Sequence, residues 1–92
     1  MSRYSIGDCV SVFDMYPPGH VRTPNFVRGM SGIIETILGT YLNPEELAYG
    51  RSGIPEKILY RVRFRQIDLW PDYVGNPQDT AIVDIYEHWL DI

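Results

Sequence analysis

The chain has 92 residues, 45% of them apolar and 13% aromatic, which suffices for one domain over residues 1–92 and is too little for two. Its formal charge of −4 disfavours a nucleic-acid partner, because clustered Lys and Arg supply most of the affinity for phosphates. The single cysteine, Cys9, excludes an intrachain disulfide and multi-cysteine metal motifs. We see neither an apolar leader nor a membrane-length apolar run, so we expect a cytoplasmic protein with no membrane association.

The first predicted strand is Cys9–Phe13, in which Val10 and Val12 alternate with the other residues. No activating base lies next to Cys9 in the sequence, so we interpret Cys9 as a small buried apolar residue. A loop then runs from Tyr16 to about Gly32, because consecutive prolines exclude a helix there. We interpret His20 as a hydrogen-bonded loop residue, since only one other histidine exists to share a metal.

The second predicted strand is Ile33–Leu38, bounded by glycines. A short helix should follow at about Pro44–Tyr49, with Asn43 as its N-cap and Glu46 placed to complete a capping box. Glu45 and Glu46 are adjacent and point apart, so we assign them to the helix dipole rather than to acid-base catalysis.

Alternation is clearest in the third predicted strand, Ile58–Phe64, which has apolar residues on one face and arginines on the other. A solvated or salt-bridged face is favoured over anion binding, given the acidic chain. The last long strand is Thr80–Tyr86. Trp70 should plug one end of the core, and the C-terminal residues around Trp89 should pack on the barrel or on a partner.

Short strands, one brief helix and no alternation of strands with helices predict a mainly β protein, which we expect to be a small SH3-like barrel. No nucleophile elbow, zinc-protease motif or phosphate loop is present in the sequence. From residue patterns alone, the chain is a β module without its own catalytic constellation.

Five segments carry a more specific signal over roughly Gly7 to Leu90: G-D-C-V-S-V, G-H-V-R-T-P-N-F-V-R-G-M-S-G-I-I-E, L-Y-R-V-R-F, D-L-W-P-D-Y and V-D-I-Y-E-H-W-L. In this order and spacing they resemble the C-terminal barrel domain of the nitrile hydratase β subunit. They are also similar to the matching small subunit of thiocyanate hydrolase.

This resemblance implies a lyase that hydrates nitriles to amides at a Co(III) or Fe(III) ion held by oxidised cysteines of an α-type partner subunit. The present chain would bind no metal or other cofactor and would be inactive alone. Because nitrile hydratase β chains also have a helical N-terminal half, the resemblance implies a split β subunit whose helical half is a separate chain. An isolated domain is the alternative.

The resemblance also implies site residues. Arg22, in the H-x-R-x-P segment, corresponds to an arginine that reaches the oxidised cysteines of the partner, and a forked guanidinium suits sulfinate oxygens. Arg28 either assists the same cluster or ties down its own loop. The residues expected at the interface with the partner are His20, Pro24, Phe26, Trp70 and Trp89.

One departure from the family pattern and two alternatives remain. Asn25-Phe26 replaces the family's usual polar residue and tyrosine, which removes any role for that hydroxyl. D-L-W-P-D-Y favours thiocyanate as the substrate, whereas H-V-R-T-P favours a nitrile. A non-catalytic SH3-like binding or accessory module is the alternative from a different functional class.

Overall fold

A computed structural model describes residues 2–18 and 21–92 of the chain, which form five strands and two short α-helices. In chain order, these elements are β1 (Cys9–Val12), β2 (Ser31–Tyr41), α1 (Pro44–Ala48), β3 (Lys57–Arg65), α2 (Gln66–Leu69), β4 (Thr80–Tyr86) and β5 (Leu90–Asp91). Two 3-10 turns span Asn25–Val27 and Glu87–Trp89, and we name the second the C-terminal turn.

The strands form one antiparallel sheet in the order β4-β3-β2-β1-β5. The final strand therefore returns beside the first, after a 3-10 turn, and a long loop separates β1 from β2. This is the predicted SH3-like arrangement, a mainly β fold with brief helices.

Strand β2 is longer than predicted because it pairs with both β1 and β3. It pairs with β1 around Gly32 and with β3 as far as Tyr41. Gly39 was expected to end this strand, but it lies inside β2 with φ of +123° beside a register shift. Glycine tolerates the bulge conformation, so the strand bends there and continues.

Strand β3 has the predicted two faces. Tyr60, Val62 and Phe64 are buried on one side, whereas Arg61 on the other side is 2.9 Å from Asp84 of β4. Arg63 likewise approaches Glu35 at 3.6 Å. The favoured interpretation of this face as salt-bridged is confirmed, and β4 has the predicted bounds.

Helix α1 begins as predicted, with Asn43 accepting a hydrogen bond from the Glu45 amide at 3.0 Å and Pro44 in the first turn. It ends one residue early, at Ala48. Glu46 forms an ion pair with Arg51 at 2.6 Å instead of the predicted capping-box bond. Helix α2, which follows β3 directly, was not predicted.

Two expectations about burial are wrong. Cys9 is exposed, because the alternation that buries Val10 and Val12 turns it to the outer face of β1. Trp70 is 42% exposed and does not plug the core. Trp89 is 1% exposed and packs in the core, which is one of the two places expected for it, and a contact with a partner stays a prediction.

The Tyr60 hydroxyl connects the N-terminal segment to the core. It accepts hydrogen bonds from the Arg3 and Tyr4 amides at 3.1 and 3.2 Å and donates one to Glu87 at 2.6 Å. Burial, reinforced by the Glu87 hydrogen bond, raises the pKa of Tyr60 to about 12. The neutral hydroxyl is therefore the form that the folded state favours.

We expect Tyr60→Phe to lower the free energy of unfolding by about 1–3 kcal/mol at neutral pH, because the buried Tyr4 amide loses its acceptor and Glu87 loses a donor. A pKa raised in the folded state contributes stability that is complete below the ordinary value of 10.0 and is lost as the pH rises towards about 12. Urea denaturation across that range should show a decline in the parent chain that the variant largely lacks. Tyr41→Phe, at an exposed hydroxyl, is the control, and an unaltered decline in Tyr60→Phe would contradict the assignment.

Candidate functional site

The connection between β1 and β2, residues 13–30, contains both arginines singled out in the sequence, and we name it the arginine loop. Its ends are fixed by backbone hydrogen bonds: the Phe13 amide donates to the Trp89 carbonyl at 2.9 Å, and the Gly29 amide donates to the Val12 carbonyl at 2.9 Å. Val27 is fully buried within it. The loop is thus anchored to the sheet and to the C-terminal turn.

Arg28 braces the arginine loop from within. Its guanidinium donates to the Thr23 carbonyl through Nε at 3.2 Å and Nη2 at 2.8 Å, and to the Met15 carbonyl through Nη1 at 3.0 Å. The same group lies 4.9 Å from the centre of the Tyr16 ring and 5.0 Å from that of Trp89. Arg28 was expected either to tie down its own loop or to assist the cysteine cluster of the partner. These contacts show the first role, and a contact with a partner stays a prediction.

Arg22 has a different environment. Its residue is exposed, next to Thr23, whose side chain is buried. Within residues 2–18 and 21–92, Arg22 makes no side-chain hydrogen bond or ion pair. Among the described residues, the five donors of the Arg22 guanidinium have no partner, whereas three donors of Arg28 are used.

Phe26 and Trp70, both predicted interface residues, are brought together on the surface. Their ring centroids are 5.3 Å apart with an interplanar angle of 30°, and 40% of Phe26 and 42% of Trp70 stay exposed. The Trp70 indole donates to Gln66 Oε1 at 2.7 Å, which fixes the ring in place. The pair provides apolar area at the surface, where aromatic residues favour protein contacts.

The other predicted interface residues are placed differently. Pro24 is half-buried and precedes the Asn25–Val27 turn. Trp89 lies in the core, as described above, and His20 lies outside the described residues. The structure thus gathers Phe26 with Trp70, and the prediction that they contact a partner stays open.

A cluster around Glu45 was missed by sequence reasoning. Glu45 Oε2 accepts hydrogen bonds from Trp89 Nε1 at 2.6 Å and from His88 Nε2 at 3.0 Å. These partners are 44 and 43 residues away from Glu45 in the chain. In the sequence, the position of Glu45 at the start of a helix already explained why a carboxylate is there. No local sequence pattern contains this contact.

A cavity of about 200 Å³ lies on the outer face of the sheet, apart from the arginine loop. Its lining includes Cys9, Arg63, Arg65 and Asp68. Arg65 is 3.8 Å from Asp68, so the charges of this cavity already have partners.

The described part of the chain offers no metal site of its own. Across residues 2–18 and 21–92, no three side chains of the His, Cys, Asp and Glu types lie close enough to share an ion. In the same residues, no helix is long and apolar enough to cross a membrane.

We expect Arg28→Lys to lower the free energy of unfolding by about 1–2 kcal/mol, because an ammonium cannot replace the forked contact with Thr23 or the stacking on two rings. Denaturant titration measures this effect. Arg65→Lys is the matched control: its side chain is 60% exposed, and its effect should stay within about 0.5 kcal/mol. Equal effects of the two changes would show that Arg28 does not brace the loop.

The sequence of this chain matches a known protein family. The family model described as nitrile hydratase beta subunit, C-terminal, matches residues 1–92. Nitrile hydratase subunit beta of Pseudomonas putida is 30% identical over 90 residues, which cover 98% of this chain and 41% of that protein. The cobalt-containing nitrile hydratase subunit beta of Pseudonocardia thermophila is 32% identical over 98% of this chain and 38% of its own length.

Thiocyanate hydrolase is similar over a larger share of its length. Its subunit alpha from Thiobacillus thioparus is 31% identical over 98% of this chain and 71% of that subunit. The solved recombinant apo-enzyme from the same organism superposes with a TM-score of 0.92 at 29% identity, covering 99% of this chain and 76% of that one. This chain spans about two fifths of the nitrile hydratase β relatives it matches, and it belongs to the family formed by the C-terminal domains of nitrile hydratase β subunits.

Proposed function

We propose that this chain is the non-metal-binding, β-type part of a nitrile hydratase-type metalloenzyme, a lyase that hydrates nitriles to amides and is inactive without its partner. Family membership supports this proposal. The observation that carries it is the arginine loop, which uses Arg28 to hold its own backbone and leaves Arg22 exposed.

In this proposal, Arg22 donates hydrogen bonds to the oxidised cysteine oxygens of an α-type partner subunit. A guanidinium suits this task because it keeps its charge when desolvated and presents a planar fork of donors. Burying such a group at an interface requires anionic acceptors opposite it, since an unpaired buried charge is costly. Sulfinate and sulfenate oxygens satisfy that requirement.

The metal of such an enzyme, Co(III) or Fe(III), would belong to the partner. The described residues of this chain do not fit a metal ion, because no three suitable ligands converge. When bound in the partner, the ion would supply Lewis-acid activation of the carbon–nitrogen triple bond. The contribution of this chain is then to orient Arg22 and to exclude water around it.

The proposal implies contact with two other parts of such an enzyme: the α-type metal-binding subunit and a helical part equivalent to the N-terminal half of a β subunit. The exposed Phe26–Trp70 pair supports a contact with one of them. Association also suits a domain of this size, which buries a modest share of its surface alone.

Thiocyanate hydrolysis is the second candidate function. The observation that favours it is the structural likeness: the solved thiocyanate hydrolase apo-enzyme superposes with a TM-score of 0.92 at 29% identity, and subunit alpha of that enzyme is 31% identical to this chain. Both candidates use the same Arg22 contact and differ in the small substrate, so an assay with each substrate separates them.

The test is co-expression with a cysteine-rich α-type chain and a helical β-type chain, followed by purification, metal analysis and assays on nitriles and thiocyanate. We expect a stable complex that contains cobalt or iron and converts one of the substrates. A monomer indifferent to both partners would contradict the proposal. Binding of short proline-rich peptides by that monomer would instead support a stand-alone SH3-like module.

A further inference from the structure

The Glu45 carboxylate connects helix α1 to the C-terminal turn. One oxygen, Oε2, accepts from both Trp89 Nε1 and His88 Nε2. An ionised carboxylate can only accept, so the His88 ring donates through Nε2. His88 Nδ1 is buried and has no hydrogen-bond partner among the described residues, which leaves Glu45 as the group that fixes this ring.

One line of contacts leads from Glu45 through Trp89 to the residue after Arg22. The Trp89 ring, held by Glu45, lies 5.0 Å from the Arg28 guanidinium. That guanidinium donates twice to the Thr23 carbonyl, at 2.8 and 3.2 Å. The backbone on the C-terminal side of Arg22 is thus anchored, through Arg28, to a core tryptophan whose indole N–H is bound by Glu45.

A second line leads from α1 itself to the residues before Arg22. Tyr49, the residue at the C-terminal end of α1, donates through its hydroxyl to the Pro18 carbonyl at 2.8 Å. Glu45 lies on α1 and Tyr49 is the C-cap residue of that helix, so docking α1 on the C-terminal turn also places the Tyr49 hydroxyl. Two anchors, at Pro18 and at Thr23, therefore flank Arg22.

We propose that Glu45 is a positioning residue for Arg22: its shared carboxylate docks α1 against the C-terminal turn and thereby fixes both backbone anchors of the arginine loop. The consequence for catalysis rests on the function proposed above. A guanidinium that meets an anionic group at a subunit interface acts best when its supporting residues have fixed its place beforehand. A displacement of about 1 Å in such a group can lower a rate by about a hundredfold.

The experiment compares Glu45→Ala, Glu45→Gln and Glu46→Ala in the purified complex. Glutamine keeps one oxygen that can accept from both Trp89 and His88, whereas alanine keeps none. Glu46 is the matched control, since it is a carboxylate on the same helix whose ion pair faces solvent with Arg51. The measurements are amide hydrogen exchange in residues 21–28 and separate values of kcat and KM.

We expect Glu45→Ala to speed exchange in residues 21–28 by about tenfold or more and to lower kcat by about tenfold to a hundredfold, with KM little changed. Glu45→Gln should restore most of the parent exchange rate and most of the parent kcat, and Glu46→Ala should resemble the parent in both quantities. Unchanged exchange in Glu45→Ala would overturn the proposal. So would a loss in Glu46→Ala as large as in Glu45→Ala.

Tyr49→Phe tests the same arrangement if Glu45→Ala does not assemble. It removes only the hydroxyl that donates to Pro18, on a residue that is 54% exposed. Faster exchange in residues 21–28 with unperturbed Trp89 is the expected result, and unchanged exchange would overturn the proposal. An inactive parent complex would contradict the proposed function. The exchange measurement needs no turnover, so it would still test whether Glu45 positions the arginine loop.

Discussion

Replacing Arg22 with alanine is expected to lower kcat of the assembled complex by about a hundredfold to a thousandfold, because it removes preorganised charged donors from a site shielded from water. The chain itself should stay folded, since Arg22 is exposed and its side chain holds no other part of the described structure. Steady-state kinetics on the purified complex, with circular dichroism of each variant, measures both expectations.

Arg22→Lys should recover little of this loss. An ammonium keeps the charge, but it lacks the planar fork that matches two oxygens at once. Arg65→Ala is the control, as its side chain is 60% exposed and lies outside the arginine loop. Parent activity in Arg22→Ala, in a complex shown to be intact, would reject the assignment of Arg22.

The two tryptophans should respond in opposite ways to truncation. Trp89→Ala is expected to lower the free energy of unfolding by about 3–5 kcal/mol, because it opens a large cavity in the core. The same change also deprives Glu45 of the Trp89 indole donor. For a small domain, whose total stability is on the order of 5–15 kcal/mol, this is enough to unfold a large fraction of the molecules.

Trp70→Ala is the matched comparison, since it removes an equally large side chain from the surface. Its cost in stability should be below about 1 kcal/mol, and its effect should appear in binding to the partner proteins. Urea denaturation and calorimetric titration of the partner measure the two quantities. Equal destabilisation by both changes would contradict the division into a core and a surface tryptophan.

Local patterns predicted much of this fold. Strand β3 shows strict alternation because one of its faces is buried, and burial of a single face leaves a period of two in the sequence. The start of α1 was predictable because Asn43 and Pro44 act through local backbone geometry. The place of Arg22 on an exposed loop followed from the prolines and glycines around it.

The errors share a physical cause, which is that burial depends on contacts between distant segments. Cys9 was assigned by residue type, although its alternation with Val10 turns it outward. Trp70 and Trp89 are indistinguishable as residue types, and the return of β5 beside β1 decides which of them is buried. The Glu45 contacts span more than forty residues and leave no local pattern.

The most direct test is the structure of this chain in complex with a metal-loaded α-type partner. We predict that the Arg22 guanidinium lies within about 2.7–2.9 Å of oxidised cysteine oxygens, with Arg28 still bound to the carbonyls of Met15 and Thr23. A complex in which Arg22 faces solvent, away from the metal-binding cysteines, would contradict this assignment.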